Sequence, residues 1–294
     1  IRWAVVSRGH ASHRPAFCSS TDQAQMFDTF LQEGAMGYKD ILVFLDPGRD
    51  TDHRLELAAT LCRRFDARLI GVDVSAQEAF SNEFAERALR LQEVFEEKLH
   101  SASLAGEYRV AEKRTTSWKD FYAHYADLVV ASQRGTNAAD TTVSAIPDEI
   151  VANAGVPVLV LPVNWTPVPV GQSVVIAWNS SRESTRALHD ALPMLLHATQ
   201  VTVFEYAPPS DHIDSAPQRV QQWLDRHGIG SEIFTWPDVD DANVTDTLFT
   251  CIDRQRADLV VAGAFGHSSF AERFFGSVSQ DLLHNWSIPV LMSH

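Results

Sequence analysis

Asp258-Leu259-Val260-Val261-Ala262-Gly263-Ala264-Phe265-Gly266, followed after nine residues by Gly276-Ser277, is the stretch that decides the fold. Leu259 to Ala262 is an apolar run short enough for a buried parallel strand. Val278-Ser279-Gln280-Asp281-Leu282-Leu283 reads as the start of a helix. The whole is therefore strand, glycine loop, helix. Glycine has no Cβ, so its backbone N–H groups can approach an anion closely. A helix opening at Ser277 adds free N–H groups and the positive end of its dipole. The plainer reading is that these glycines only permit a tight turn.

Upstream, the same pattern occurs a first time. Ile41 to Leu45 is a buried strand stopped by Asp46-Pro47-Gly48. A helix follows, with Leu55, Leu57, Ala58, Ala59, Leu61 and Cys62 on its apolar face and Arg54, Glu56, Arg63 and Arg64 largely outside. Then come a strand at Arg68 to Val74, a helix from Glu78 to His100, a short strand at Glu107 to Ala111 and a helix at Trp118 to Tyr125. Strands at Asp127 to Ala131 and Val156 to Val160 complete the series. Strands alternating with helices imply parallel units with right-handed crossovers.

After the proline-rich joint Pro162 to Pro169 the order restarts. Val174 to Ser181 matches Ile41 to Gly48, Asp258 to Ala262 matches Asp127 to Ala131, and Ile288 to Leu291 matches Val156 to Leu159, all at a nearly constant separation. The chain reads as a tandem duplication. Between these anchors lie helices at Glu183 to His197, Ala216 to His227 and Asn243 to Arg256. Strands lie at Val201 to Tyr206 and Glu232 to Trp236. Pro193 is expected to kink or shorten the first of these helices. Ile1 to Ala35 lack periodicity, so residues 1–38 read as an extension outside the core fold. Residues 39–163 form a first domain and 171–294 a second.

The copies differ where chemistry is expected. The first has Ser132 for Gly263 and Ser144-Ala145 for Gly276-Ser277, and so looks disabled for phosphate binding. It has Asp46 where the second has Asn179. A carboxylate there accepts both ribose hydroxyls, and Asn179 offers one acceptor oxygen and a donor. Asn179-Ser180-Ser181 also suits a helix cap, and both roles can coexist.

These residues resemble the universal stress protein family: the strand ending in Asn179-Ser180-Ser181, the Asp258 to Gly263 run, Gly263-x2-Gly266-x9-Gly276-Ser277, and the Ile288-Pro289-Val290-Leu291 ending. The resemblance is strong over 171–294 and weak over 39–163. It implies an α/β fold of two tandem Rossmann-like domains of the adenine-nucleotide alpha-hydrolase type, each a five-stranded parallel sheet flanked by helices. It implies ATP, with Mg²⁺ arriving on the phosphates. Carried over, Gly263, Gly266, Gly276, Ser277 and the backbone of Val278 hold the phosphates. Ala177 and Asn179 flank the adenosine, Tyr206 sits at the adenine contact, and Ala262 walls the base. Asn179 departs from the family's aspartate, and Tyr206 is larger than the usual residue. The implied role is stress response or regulation, with a nucleotide-free interaction module carrying a remnant loop as the alternative. A nucleotide-dependent transferase or hydrolase of related fold is a third reading.

A formal charge of −14 argues against nucleic acid as a partner. No apolar run approaches the ~18 residues of a membrane span. Cys18, Cys62 and Cys251 are far apart and form no metal spacing, which fits a reducing, cytoplasmic setting. P-loop, HExxH and GxSxG motifs are absent, so no catalytic residue is assigned and slow ATP hydrolysis is the most expected. His267 and Arg273 lie in the glycine loop. The two halves are expected to pack as an intramolecular pseudo-dimer. The apolar strands at Val156 to Val160 and Ile288 to Leu291 are the candidates to pair between halves, or between chains in a homodimer.

Overall fold

The structure, a computed structural model, describes residues 37–46, 51–74, 83–111, 123–133, 147–205, 216–235, 244–265 and 286–294. Residues 1–36 of the expected extension, Cys18, Tyr206 and the stretch from Gly266 through Val278 to Leu283 lie outside the described residues, whereas Tyr38, read as part of the extension, is buried in the core.

Among the described residues ten strands carry the fold: β1 (Asp40–Leu45), β2 (Arg68–Asp73), β3 (Gly106–Val110), β4 (Leu128–Ser132), β5 (Val158–Leu161), β6 (Ser173–Trp178), β7 (Gln200–Glu205), β8 (Glu232–Thr235), β9 (Leu259–Gly263) and β10 (Val290–Ser293). They form one sheet in the order β3-β2-β1-β4-β5-β10-β9-β6-β7-β8. Within each half the order is the same and all pairing is parallel. At the seam β5 and β10 pair antiparallel, Leu291 opposite Leu159, Val290 opposite Val160 and Met292 opposite Val158. The two expected five-stranded sheets are thus halves of one sheet. Each half ends in a short apolar strand with an unpaired edge, and pairing the two edges satisfies both. The antiparallel seam also reverses direction, so the carboxyl ends of the strands lie at opposite edges of the sheet in the two halves.

The helices are α1 (Thr51–Phe65), α2 (Glu83–Ala102), α3 (Pro147–Asn153), α4 (Arg182–Asp190), α5 (Leu192–Leu195), α6 (Ala216–Arg226) and α7 (Val244–Gln255). Side chains alternate along each strand, so β9 gives Leu259 and Val261 to one core layer and Val260 and Ala262 to the other. The first layer holds Leu55 and Leu61 of α1, Phe95 of α2, Ala187 of α4, Met194 of α5 and Leu224 of α6. The second holds Ile150 of α3 and Leu248 of α7.

Pro193 has the expected effect: the helix read across it is two helices, α4 and α5, divided at Ala191. Of the helix expected at Trp118 to Tyr125, the described part is one 3-10 turn, Ala123–Tyr125. The duplicated aspartates have a shared task. Asp127 accepts hydrogen bonds from the N–H groups of Lys39 and Asp40, at 2.7 and 3.0 Å. Asp258 does the same for Gly171, Gln172 and Ser173. Each aspartate ties the entry of its half's first strand to the entry of its fourth.

Beyond the seam, Tyr38 donates to the Asp190 carbonyl (2.8 Å) and Arg64 to the Val170 carbonyl (2.9 Å). Arg64 is therefore half-buried against the joint between the halves, a departure from its expected outside position. Cys62 and Cys251 are buried, and burial pushes both thiols up to about 12. No described helix is long and apolar enough to cross a membrane.

Candidate functional site

In the order β10-β9-β6-β7-β8 the chain leaves β6 in one direction and returns through β9 on the other side. The gap between the carboxyl ends of β6 and β9 is a topological switch point, where open α/β sheets leave a crevice for ligands. The structure brings four sequence-predicted residues to it. Ala177 and Ala262 are directly paired across the two strands, at 2% and 1% exposure. Both side chains belong to the second core layer. Asn179 follows β6, and Gly263 closes β9. Tyr206, Gly266, Gly276, Ser277 and Val278 lie outside the described residues, as do His267 and Arg273.

Asn179 leads into the cap of α4. Its Oδ1 accepts from the Ser181 N–H (3.1 Å), and the Ser181 Oγ accepts from the Ser184 N–H (3.0 Å). Ser181 is the N-cap of α4, with extended backbone. Ser180 between them has φ 61°. Phe265, at the start of the glycine loop, has φ 55°. Asp66, Ser103 and Arg256 also have positive φ, but each directly follows a helix, where a left-handed residue is common. Ser180 and Phe265 have no such reason. Asn164, in the joint at Pro162 to Pro169, is a third such residue (φ 58°), so two of the three described non-glycine residues with positive φ and no preceding helix sit on the lips of this crevice.

Gly263 has a packing reason to be glycine. A Cβ on it would lie 2.5 Å from both the Glu183 carbonyl carbon and the Ser184 nitrogen. The first turn of α4 thus rests directly on the end of β9. The next N–H, of Ala264, donates to the Ser293 carbonyl at 2.8 Å. Within this loop the Ala264 N–H is therefore not available to an anion.

Two carboxylates here were not singled out by sequence reading. Glu183, in the first turn of α4, is buried, with Arg182 3.5 Å away. It already complements the dipole of that helix. Glu205 ends β7 opposite Trp178 and is half-buried. Burial raises its carboxyl above the usual range. The only available signal was its place one residue before Tyr206 at a strand end.

A raised carboxyl binds a proton more tightly folded than unfolded. Its ionisation thus costs stability as pH climbs from about 4.3, the unfolded value, through the folded one. Glu205→Gln is expected to raise the melting temperature at pH 7 and flatten its decline over that window. An unchanged pH profile would show that Glu205 ionises freely.

The first half has the same switch point, between β1 and β4, filled differently. Arg54 was expected outside but is 2% exposed. Its Nη2 meets the Asp46 Oδ2 at 2.6 Å and the Thr51 Oγ1 at 2.7 Å. Nε donates to the Phe44 carbonyl at 3.2 Å, and Nη1 to the Ser132 Oγ at 3.0 Å. Asp46 also accepts from the Thr51 hydroxyl. The helical spacing Arg54, Ala58, Leu61, Phe65 places Arg54 on the buried stripe; its charge suggested otherwise.

A cavity of about 560 Å³ lies elsewhere, between the joint at Pro162 to Val168 and the segment Trp286 to Pro289. Among the described residues lining it, Asp258 is the one that carries a charge.

Residues 172–294 match the profile of the universal stress protein family. No curated protein matches the chain. Among solved structures, a universal stress protein from Archaeoglobus fulgidus DSM 4304 is similar at 14% identity and a TM-score of 0.64, covering 86% of this chain and 95% of that one. A protein of unknown function from Pseudomonas aeruginosa is similar at 15% identity and a TM-score of 0.58, covering 87% and 92%. These likenesses show a shared fold across both halves. A universal stress protein from Archaeoglobus fulgidus in complex with dAMP matches at 18% identity and a TM-score of 0.31, covering 42% of this chain and 98% of its own.

Proposed function

Because the chain carries a universal stress protein domain over residues 172–294, we propose that this half binds one adenine nucleotide, ATP, and serves a stress-response or regulatory role. The carrying observation is that the 177–181 and 262–265 segments meet at a switch point from which the Gly263-x2-Gly266-x9-Gly276-Ser277 pattern departs. In this reading Ala177 and Ala262 wall the base, and Asn179 and Tyr206 meet the nucleoside. Gly263 sets the start of the loop, while Gly266, Gly276, Ser277 and the Val278 N–H take the phosphates. Mg²⁺ is carried by the phosphates. The first half is architectural, and the protein works in the cytoplasm.

The second reading, an interaction module with a remnant loop, is favoured by one observation: the Asn179 Oδ1 is already engaged by the Ser181 N–H. Thermal unfolding with and without ATP separates the two. A ligand at about 100 times its Kd stabilises the folded state by about 2.7 kcal/mol. That shift is expected in the wild type and in Ser144→Val, and is expected to vanish in Gly276→Val, whose branched side chain enters the phosphate site. A wild type with no shift and no co-purified nucleotide would sink the ATP reading. Equal loss in both variants would contradict a single site.

A further inference from the structure

The two switch points differ most at the helix that follows each half's first strand. In the second half, the backbone of Glu183 and Ser184 in α4 lies on the end of β9, where Gly263 leaves room for it, and Ala187 follows one turn on, fully buried. In the first half, Thr51 and Arg54 of α1 occupy the positions corresponding to Ser184 and Ala187, with the same three-residue spacing, and Ser132 replaces Gly263. Asp46 stands where Asn179 stands in the second half. The three changes are mutually dependent. Arg54 needs an anion, which Asp46 supplies. It needs a further acceptor on the neighbouring strand, which Ser132 supplies.

The guanidinium therefore spans the switch point. It binds the Phe44 carbonyl and the Asp46 carboxylate at the end of β1, and the Ser132 hydroxyl at the end of β4. Both members of the ion pair have side chains 3% exposed. A ligand hydroxyl can reach Asp46 only by displacing Arg54, which strands a buried cation. The penalty for leaving one partner of such a pair alone corresponds to about 200- to 5000-fold in an equilibrium constant.

We propose that the first half is closed to small-molecule ligands by its own Arg54–Asp46 pair, the guanidinium engaging the carboxylate that a ligand hydroxyl would have to reach. Closure is then a property of these side chains and does not depend on the missing glycines. The geometric claim concerns the first half alone; only its bearing on the number of nucleotides per chain rests on the function proposed above.

Hydrogen exchange read by mass spectrometry on the full chain, with and without ATP, tests this. Amides of Phe44 to Asp46 and Val130 to Gln133 are expected to exchange slowly in the wild type and identically with ATP. Arg54→Met is expected to speed them by about 100-fold or more. Adding Asp46→Asn removes the stranded charge and is expected to recover at least about 10-fold. Arg54→Lys keeps the charge but cannot reach all four acceptors. It is expected to exchange about 10-fold faster than wild type, and it gives the reading if Arg54→Met fails to fold. Slowing of these amides by ATP in the wild type, or unchanged exchange in Arg54→Met and Arg54→Lys, would overturn the proposal. Failure of the nucleotide reading looks different: ATP leaves residues 177–184 and 259–265 unaffected while the Arg54 variants still respond.

Discussion

Leu291→Asp is expected to cost at least about 4 kcal/mol of folding stability, a large share of the about 5–15 kcal/mol that holds a typical protein folded. Leu291 is fully buried and faces Leu159, also fully buried, at the centre of the antiparallel seam. Both side chains belong to the core layer that α1 and α4 cover. Removing such a leucine costs about 2–5 kcal/mol through lost burial and the cavity left behind. The new carboxylate adds the cost of a buried, unpaired charge. Urea unfolding measures the loss as a lower midpoint. Leu196→Asp, at a position 46% exposed, is the control and is expected to stay within about 0.5 kcal/mol of wild type. A Leu291→Asp midpoint equal to that of the control would mean that the halves do not share a sheet in solution.

Gly263→Ala is expected to cost about 3 kcal/mol, measured without any nucleotide. The added methyl would stand 2.5 Å from two backbone atoms of α4 and 2.8 Å from the Glu183 Cβ. Backbone cannot rotate away as a side-chain tip can, so the first turn of α4 has to lift. That strains the Ser181 cap and loosens Ala187 and Leu188, both in the core. Gly230→Ala is the comparison, because nothing lies within 4 Å of its Cβ position; it is expected to be neutral or slightly stabilising. If Gly263→Ala is equally harmless, α4 does not rest on β9 as described. The first half accepts a side chain at the corresponding Ser132 because Arg54 reaches down to bond it.

The strands were legible because fully buried parallel strands are plain apolar runs. Ile41 to Leu45, Leu128 to Ala131 and Leu259 to Ala262 could hardly be anything else. The break at Pro193 and the pairing of the Val156 and Ile288 strands were also visible in the sequence. Continuity of the sheet was not forced by it, because an edge strand can equally pair with another chain. Arg54 was misread because helical spacing and charge gave opposite answers, and its partners Asp46 and Ser132 lie 8 and 78 residues away. At the candidate site, both readings of Asn179 were available, and the capping contacts are what the structure displays. Gly263 was legible as a glycine with a purpose. Its contact with the Glu183 backbone was not, since a sequence gives no distance between a strand end and the helix lying over it.

The proposed function requires a single adenine-nucleotide site in residues 172–294. Photolabelling the intact chain with an azido-ATP analogue, followed by peptide mapping, tests it most directly. One label per chain is expected, displaced by ATP, in peptides covering residues 177–182 or 262–285. ATP-displaceable label within residues 39–163, or none anywhere, would contradict it.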